Sequence, residues 1–425
     1  MLQIKSMKPR TKQLGIRTIS DAGVLCVPLS QHIGRPATPV VAVGDKVLKY
    51  QLMGKAAPGL SANIHSPVSG TVSAIENVEL AGGATVPAIV IENNFKEEEA
   101  RPLPGADTPE SVVELIAAAG VVGEGGAQFP TAVKYAGNEG KIHTLILNGT
   151  ECEPYLTADY ALMNLHPEEI LRGAALMKQV LKAGEVVIVM EEQNKALAQR
   201  FEPFFQHAEY KDFRVQVLPD GYPQGGELQV IRSVTGKELP KSMLPKDAGI
   251  VVNNVGTMYA IYRAVEQHRP VVSRIITVSG EGADQVGNFE VKIGTPVAHI
   301  LKELGINGHD KVEVMGGPMM GKTILSSNTP ICKGSSGILL LKEKSQHRHH
   351  CISCGYCAEA CPMHLLPMEF EKLVRKGRHS QLASYGLNSC IECAACEYVC
   401  PSNVALIESI KEGKNKLRQM ANATK

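Results

Sequence analysis

The stretch CISCGYCAEACP, residues 351–362, returns in altered form as CIECAACEYVCP, residues 390–401. Each copy has the spacing C-x2-C-x2-C-x3-C-P, in which three cysteines hold one [4Fe–4S] cluster and the fourth ligates the other cluster. Zinc sites use cysteine pairs rather than such triplets, which disfavours zinc as the alternative. The stretch predicts electron transfer and leaves donor and acceptor open. The spacing assigns Cys351, Cys354, Cys357 and Cys400 to one cluster, and Cys390, Cys393, Cys396 and Cys361 to the other.

Composition narrows the class of protein further. The chain has 425 residues, 44% hydrophobic and 20% charged, with a formal net charge of +1. Such a balance gives no electrostatic case for nucleic acid as a partner. Three cysteines remain outside the doubled motif, an odd number that argues against a disulfide framework and for a cytoplasmic protein. No apolar run reaches the roughly 18 residues of a membrane span. A peripheral position on the cytoplasmic face of a membrane stays open.

The N-terminal part shows all-β patterning. VGDKV (43–47) and IHSPVSGTV (64–72) resemble the two halves of a lipoyl-type barrel-sandwich hybrid. The hairpin between them, KAAPGLSAN (55–63), lacks the Met-Lys-Met of carrier domains. A structural or docking barrel, with no carrier lysine, is therefore predicted.

Strands and helices alternate through the central part. Buried strands are predicted at 143–149, 185–190, 213–218 and the start of 248–265, with a helix at about 193–207. This alternation predicts a parallel sheet with helices on both faces. Polar groups follow several strands directly, at the edge where α/β folds bind ligands.

Four central motifs carry a family resemblance: GEGGAQFPTAVK (123–134), NGTECEP (148–154), GYPQGGEL (221–228) and VVNNVGT (251–257). Together they resemble the FMN- and NADH-binding subunit of respiratory complex I. With the barrel and the doubled cysteine motif, the whole chain resembles the C subunit of the Rnf electron-transport complex. The resemblance implies FMN in the central domain, NADH stacked on it, and a cluster relay to a redox partner protein.

Carried over position by position, the resemblance implies cofactor contacts in each motif. The glycines would open the backbone to phosphate and ring, Phe129 would pack beside NADH, and Glu153 would contact the dinucleotide. No catalytic side chain is implied, because the hydride passes between stacked rings. The implied cofactor-binding residues are Gly123, Gly125, Gly126, Phe129, Lys134, Asn148, Thr150, Glu151, Cys152, Glu153, Gly225, Glu227, Asn253, Asn254 and Thr257.

Simpler interpretations remain beside this one. Gly123 to Gly126 would form a helix-start turn, Asn253 and Asn254 would cap a helix, and Glu151 and Glu153 would be solvated loop charges. Gln128 and Gly226 depart from the complex I pattern, and residues 1–25 lack the early Gly-Gly-[Ile/Val]-His-Pro element of Rnf subunits. Two alternatives therefore stay open. One is a soluble paralogue feeding a specific reductase, for proline or cobalamin; the other is a flavin-free polyferredoxin adaptor.

The predicted fold class is multidomain α/β. The expected units are a barrel-sandwich hybrid at 1–100, a Rossmann-like FMN/NADH domain at 111–270, a soluble-ligand-binding β-grasp module at 271–345 and a two-cluster ferredoxin domain at 346–425. The predicted function is oxidation of NADH through FMN and two [4Fe–4S] clusters. The predicted partner is a set of membrane Rnf-type subunits or a soluble reductase.

Overall fold

An N-terminal arm, residues 1–18, precedes the barrel. The computed structural model describes residues 1–126, 128–240, 243–306, 311–343 and 347–423. Within the arm, Leu2 pairs antiparallel with Tyr222 of the central unit. Further on, residues 16–18 pair in parallel with residues 288–290, a strand of the third unit described below. The arm thus adds to these two units and not to the sheets of the barrel. Its regular elements are α1 (Pro9–Lys12) and β1 (Ile16–Thr18).

The barrel consists of two small antiparallel sheets packed face to face. One has four strands in the order β2-β8-β7-β4, and the other has three in the order β3-β5-β6. Leu25, Val27, Ile89 and Ile91 are fully buried between them, because alternate residues of a strand face the same side. The predicted barrel-sandwich architecture is confirmed. Its strands are β2 (Val24–Pro28), β3 (Thr38–Pro39), β4 (Lys46–Val47), β5 (Leu52–Lys55), β6 (Ile64–His65), β7 (Gly70–Glu79) and β8 (Thr85–Asn93).

The central unit is built on a four-stranded parallel sheet in the order β11-β10-β9-β12, as the alternation of strands and helices predicts. Its first helix begins at a capping box between Thr108 and Ser111, which satisfies N–H groups that a helix start leaves free. The elements are α2 (Pro109–Ala118), α3 (Thr131–Tyr135), β9 (Thr144–Asn148), α4 (Ala158–Leu165), α5 (Pro167–Leu181), β10 (Glu185–Glu191), α6 (Ala198–Phe201), β11 (Phe213–Leu218), α7 (Glu227–Thr235), β12 (Ile250–Asn254) and α8 (Val255–Val265).

The helix predicted at about 193–207 is wrong as one continuous element. Only α6 is α-helical there, and 3₁₀ segments flank it at Glu192–Leu197 and Glu202–Gln206. Pro203 explains why α6 ends at Phe201, because proline lacks the N–H that would continue the helical hydrogen bonds.

The third unit is a mixed sheet with one helix against it. Its strand order, with the arm at one edge, is β1-β14-β13-β17-β15-β16. Ile276, Val278, Phe289 and Ile300 are buried between sheet and helix, as the β-grasp prediction requires. The elements are β13 (Ser273–Ser279), β14 (Gly287–Lys292), α9 (Val297–Glu303), β15 (Lys311–Met315), β16 (Lys322–Thr323) and β17 (Gly337–Lys342).

The C-terminal unit holds the doubled cysteine motif in two similar halves. Each half contains a single helical turn, α10 or α12, around its third cysteine. Phe370, Leu373, Leu387 and Ile410 form its buried core. None of the helices in the described ranges has both the length and the apolar character needed to cross a bilayer. The helices of this unit are α10 (Tyr356–Glu359), α11 (Pro367–Arg375), α12 (Ala395–Tyr398) and α13 (Leu406–Ala423).

Candidate cofactor sites

Two asparagine segments meet at the carboxyl edge of the central sheet. Parallel pairing of β9 and β12 sets Asn254 beside Asn148. The Asn254 Nδ2 donates to the Asp159 carboxylate at 2.6 Å, and its Oδ1 accepts the Gly256 N–H at 2.7 Å, which caps α8. Asn254 is therefore a helix cap, as its simpler interpretation predicted. It also lies at the edge where α/β folds bind ligands.

The predicted 148–153 and 225–227 segments touch through Asn148 and Gly225. Asn148 Nδ2 donates to the Gly225 carbonyl at 2.9 Å, and its Oδ1 accepts the Thr150 hydroxyl at 2.8 Å. The Gly225 N–H points at Cys152 Sγ, 3.4 Å away. A Cβ on Gly225 would lie 2.7 Å from Thr150 Oγ1 and 3.1 Å from that sulfur. Only glycine fits this contact without displacing its neighbours.

The glycine loop lies against the second asparagine segment. The Glu124 N–H donates to Thr257 Oγ1 at 3.0 Å, and a Cβ on Gly125 would lie 2.8 Å from the Asn254 Cβ. Gly123 donates its N–H to the carbonyl of half-buried Phe129 at 2.9 Å. A Cβ at Gly126 would meet open space. The loop thus presents accessible backbone on one side while it packs tightly on the other.

Lys134 bridges two of the predicted segments. Its ammonium lies 3.4 Å from the Glu227 carboxylate and donates to the Val252 carbonyl. The pair is partly exposed, so it contributes little to stability. Both charges remain accessible to a ligand at the sheet edge.

Asn253 supplies the test of whether the residues fit an FMN. Its side chain is 5% exposed, and its Nδ2 makes no close hydrogen bond in the described part of the chain, while its amide interacts at longer range with the buried Tyr135 hydroxyl. A buried donor without an acceptor costs free energy, and a bound polar ligand would satisfy it. Glycines at the loop let a flat ring and a phosphate approach the main chain. The residues present therefore fit the cofactor that the sequence predicts.

Glu151 is a buried charge, not the solvated one of the simpler interpretation. Its carboxylate accepts the Asp159 N–H at 2.9 Å and the Tyr160 N–H at 3.3 Å. Burial raises the pKa of Glu151 to about 7, against the opposing effect of Lys8. Lys8 is itself 2% exposed, lies 3.9 Å from the carboxylate and donates to the Glu151 carbonyl.

Glu153 is half-buried, and its carboxylate is bound by the third unit. Its oxygens accept the N–H groups of Met319 at 3.0 Å and Met320 at 2.8 Å. Burial raises the pKa of Glu153 to about 7. The carboxylate that the resemblance assigns to the dinucleotide thus already holds the loop at 316–321.

Sequence reasoning missed the arm as part of this site. Besides Lys8, Ser6 accepts the Tyr155 N–H at 3.0 Å through its carbonyl. Leu2 exchanges two backbone bonds with Tyr222, at 3.0 and 2.8 Å. No local signal marks these residues, because the arm is short and polar. Sequence reasoning also missed Glu124, whose buried carboxylate pairs with Arg274.

A single cavity is lined by all four cysteines that the spacing assigns to the first cluster. Ser353 and Val404 donate N–H groups to Cys351 Sγ and Cys400 Sγ, each at 3.4 Å. Cys351 and Cys354 are exposed, so this cavity lies at the surface. The cysteines lining it are Cys351, Cys354, Cys357 and Cys400.

The other four cysteines line a second cavity. Glu392 and Leu365 repeat the N–H···S bonds at 3.4 Å, to Cys390 and Cys361. Among the described residues no three metal-binding side chains converge on a single ion position, and the thiols are instead spread around each cavity. The cysteines lining this one are Cys361, Cys390, Cys393 and Cys396.

A small apolar junction joins the predicted flavin segments to the second cysteine cavity. At its centre Tyr222, 2% exposed, donates its hydroxyl to the Cys393 carbonyl at 2.7 Å. The thiol of Cys152 packs in the same cluster. The junction consists of Leu2, Ile4, Cys152, Tyr222, Met319, Ile391, Cys393 and Ala395.

Family models match three parts of the chain. Residues 116–263 match the Nuo51 FMN-binding domain, residues 2–96 the RnfC barrel sandwich hybrid domain, and residues 350–404 a 4Fe-4S dicluster domain. Fold and site therefore define an iron–sulfur electron-transfer subunit with an FMN-binding domain.

Whole-chain relatives are subunits C of ion-translocating oxidoreductase complexes. The Rhodobacter capsulatus protein is 40% identical over 97% of this chain and 81% of its own length. The Pseudomonas aeruginosa protein is 39% identical over 98% of this chain and 55% of its own length. The chain belongs to this RnfC family.

One solved structure shares the fold at lower identity. It is an NAD+-reducing [NiFe]-hydrogenase in the air-oxidized state, with a TM-score of 0.51 and 21% identity. The match covers 66% of this chain and 55% of that one. The match shows the common fold alone.

Proposed function

We propose that this chain oxidises NADH at an FMN bound on the strand ends and passes the electrons through two [4Fe–4S] clusters to a partner protein. The observation that carries the proposal is the junction. Cys152, in a predicted flavin segment, and Cys393, on the second cysteine cavity, belong to one packed cluster. Electron donor and first acceptor would therefore be neighbours.

Burial of the cysteines favours one order of relay. Cys393 and Cys396 are buried, and Cys393 packs in one cluster with Cys152 of a predicted flavin segment, whereas Cys351 and Cys354 are exposed. The cavity of Cys361, Cys390, Cys393 and Cys396 would receive electrons first, and the exposed cavity would release them. An exposed terminal cluster is what transfer to another protein requires.

The side chains bind and orient rather than react. A bound FMN would accept a hydride and release its two electrons singly. Asn253 would satisfy its buried amide on the cofactor, the glycine loop would face phosphate and ring, and Lys134 would supply positive charge. Gly225 would hold the 148–153 segment in contact with the turn before α7. No general base is required of the chain.

The partner would contact the exposed cavity. Ile352 lines this cavity and is 67% exposed, and Tyr356, next to its Cys357 in the chain, is 54% exposed. Exposed apolar side chains of this size mark interaction sites. Because the relatives are subunits of ion-translocating complexes, we place the partner among membrane-bound subunits, with this chain peripheral on the cytoplasmic face. Copurification with such subunits supports this; recovery with a soluble proline or cobalamin reductase supports the paralogue alternative.

Anaerobic purification followed by cofactor release tests the function. We expect about one flavin and about eight irons per chain, and loss of flavin absorbance on addition of NADH. Absence of flavin would favour the polyferredoxin adaptor. Flavin that NADH leaves unbleached would exclude NADH as the donor.

Gly225→Ala tests the flavin site itself. The new methyl group would overlap Thr150 Oγ1 and Cys152 Sγ, and overpacking of this kind costs about 1–3 kcal/mol. We expect FMN affinity to fall about tenfold or more, with iron content unchanged. Gly105→Ala is the matched control, because a Cβ there meets open space. Equal FMN affinity in the two variants would place the flavin elsewhere.

A further inference from the structure

Tyr222, in the central unit, is hydrogen-bonded both to the arm and to the cysteine unit. Its backbone forms both hydrogen bonds with Leu2 of the arm. Its hydroxyl donates to the Cys393 carbonyl at 2.7 Å. One residue later the chain reaches the turn whose Gly225 contacts Asn148 and Cys152.

The hydroxyl bond lies in an apolar setting. Tyr222 is 2% exposed and is packed by Ile391 and Ala395 on the cysteine side and by Met319 on the third unit. In such surroundings a hydrogen bond is electrostatically stronger than in water, and a donor or acceptor left without its partner is costly. The Cys393 carbonyl therefore depends on this one side chain.

We propose that Tyr222 is a positioning residue for electron transfer, setting the spacing between the flavin turn and the cluster held by Cys361, Cys390, Cys393 and Cys396. This inference rests on the proposed function. The step concerned moves one electron and makes or breaks no bond, so Tyr222 needs neither to titrate nor to be oxidised. It acts by fixing the peptide that bears Cys393 relative to the Gly225 turn.

Tyr222→Phe in the full chain tests the proposal, because it keeps the ring and removes only the hydroxyl. Electrons enter by light-driven reduction of the bound flavin with EDTA, so the test does not depend on NADH. We expect FMN and iron contents to stay unchanged. We expect cluster reduction to slow about threefold to tenfold, the factor that the loss of one ordinary hydrogen bond produces in a local equilibrium. The EPR signal and midpoint potential should change for the Cys393 cluster alone, with the exposed cluster as internal reference.

Tyr385→Phe is the matched control. Tyr385 is exposed in the same unit and lies in the segment between the two cysteine motifs. A rate and potentials for Tyr222→Phe equal to those of this control would overturn the proposal.

If Tyr222→Phe loses iron, its reduction rate no longer tests the proposal, and Leu2→Pro is the second test. Proline lacks the N–H that Leu2 donates to the Tyr222 carbonyl, and the substitution changes no residue of the cysteine unit itself. Slower cluster reduction in Leu2→Pro supports the proposal, and a wild-type rate refutes it. Failure of NADH to reduce the wild-type flavin would contradict the proposed function, but light-driven reduction would still test Tyr222.

Discussion

Glu153 illustrates what local sequence leaves undetermined at the scale of single residues. Its position after β9 could be predicted from the sequence, because polar residues that follow a buried strand lie at the sheet edge where α/β folds bind ligands. Its partners were not, since the N–H groups of Met319 and Met320 belong to a distant loop. The same holds for Gly225, whose close contacts with Thr150 and Cys152 depend on the folded sheet.

Glu153 should make stability depend on pH. Its pKa is raised by burial to about 7, whereas an unfolded glutamate has a pKa of about 4.3. Its stabilising contribution is present below the unfolded pKa and is lost as pH rises to about 7. The loss amounts to on the order of 3 kcal/mol. Glu153→Gln should flatten this decline in thermal unfolding measured between pH 5 and pH 7.5.

Glu114→Gln provides the control, because Glu114 is exposed on α2. It should keep the wild-type pH dependence. A wild-type slope in Glu153→Gln would mean that Glu153 does not titrate in this range.

At the scale of elements, regular patterns were predictable and the arm was not. The central strands were found because short β-branched runs mark buried strands, and the cysteine sets because ligand spacing is local. The arm carries no such pattern, and its α1 is only a single turn. Its place is fixed by distant partners, including Glu151, Tyr155 and Tyr222.

Lys8→Met should uncouple the arm from the flavin site. Burial raises the pKa values of Glu151 and Glu191 to about 7, and Lys8 is the opposing cation for both. Removing one member of a buried pair costs about 3 kcal/mol. We expect weaker FMN binding in fluorescence titrations and an earlier urea transition of the central unit. Lys5→Met, at an exposed position on the same arm, should behave as wild type; a matching loss there would point to a general effect of arm charge.

At the scale of the whole molecule, the arm and three of the four units converge on the junction. The arm contributes Leu2, the central unit Tyr222, the third unit Met319 and the cysteine unit Cys393. Family resemblance supplied the order of these units along the chain. Their meeting point could not be read from it, because the contacts connect residues far apart in sequence.

Removing one cysteine from each cavity should separate the two relay steps. Cys351→Ala should lower iron from about eight to about four per chain and leave flavin-to-cluster transfer measurable by EPR. Cys393→Ala should lower iron equally but abolish reduction of the exposed cluster by reduced flavin. Cys26→Ala, in the barrel, should change neither. Rapid reduction of the exposed cluster in Cys393→Ala would overturn the proposed order.

The pairing of β1 with β14 governs how the protein acquires its structure. Ile16 finds its strand partner at Asn288, and Leu2 finds Tyr222, so both arm residues are synthesised long before the residues with which they pair. Closing such long loops is slow, because their entropy is lost before the contacts form. The barrel can form early on its own strands, whereas the flavin site must wait for most of the chain. A fragment ending at residue 100 would therefore carry an arm with nothing to bind.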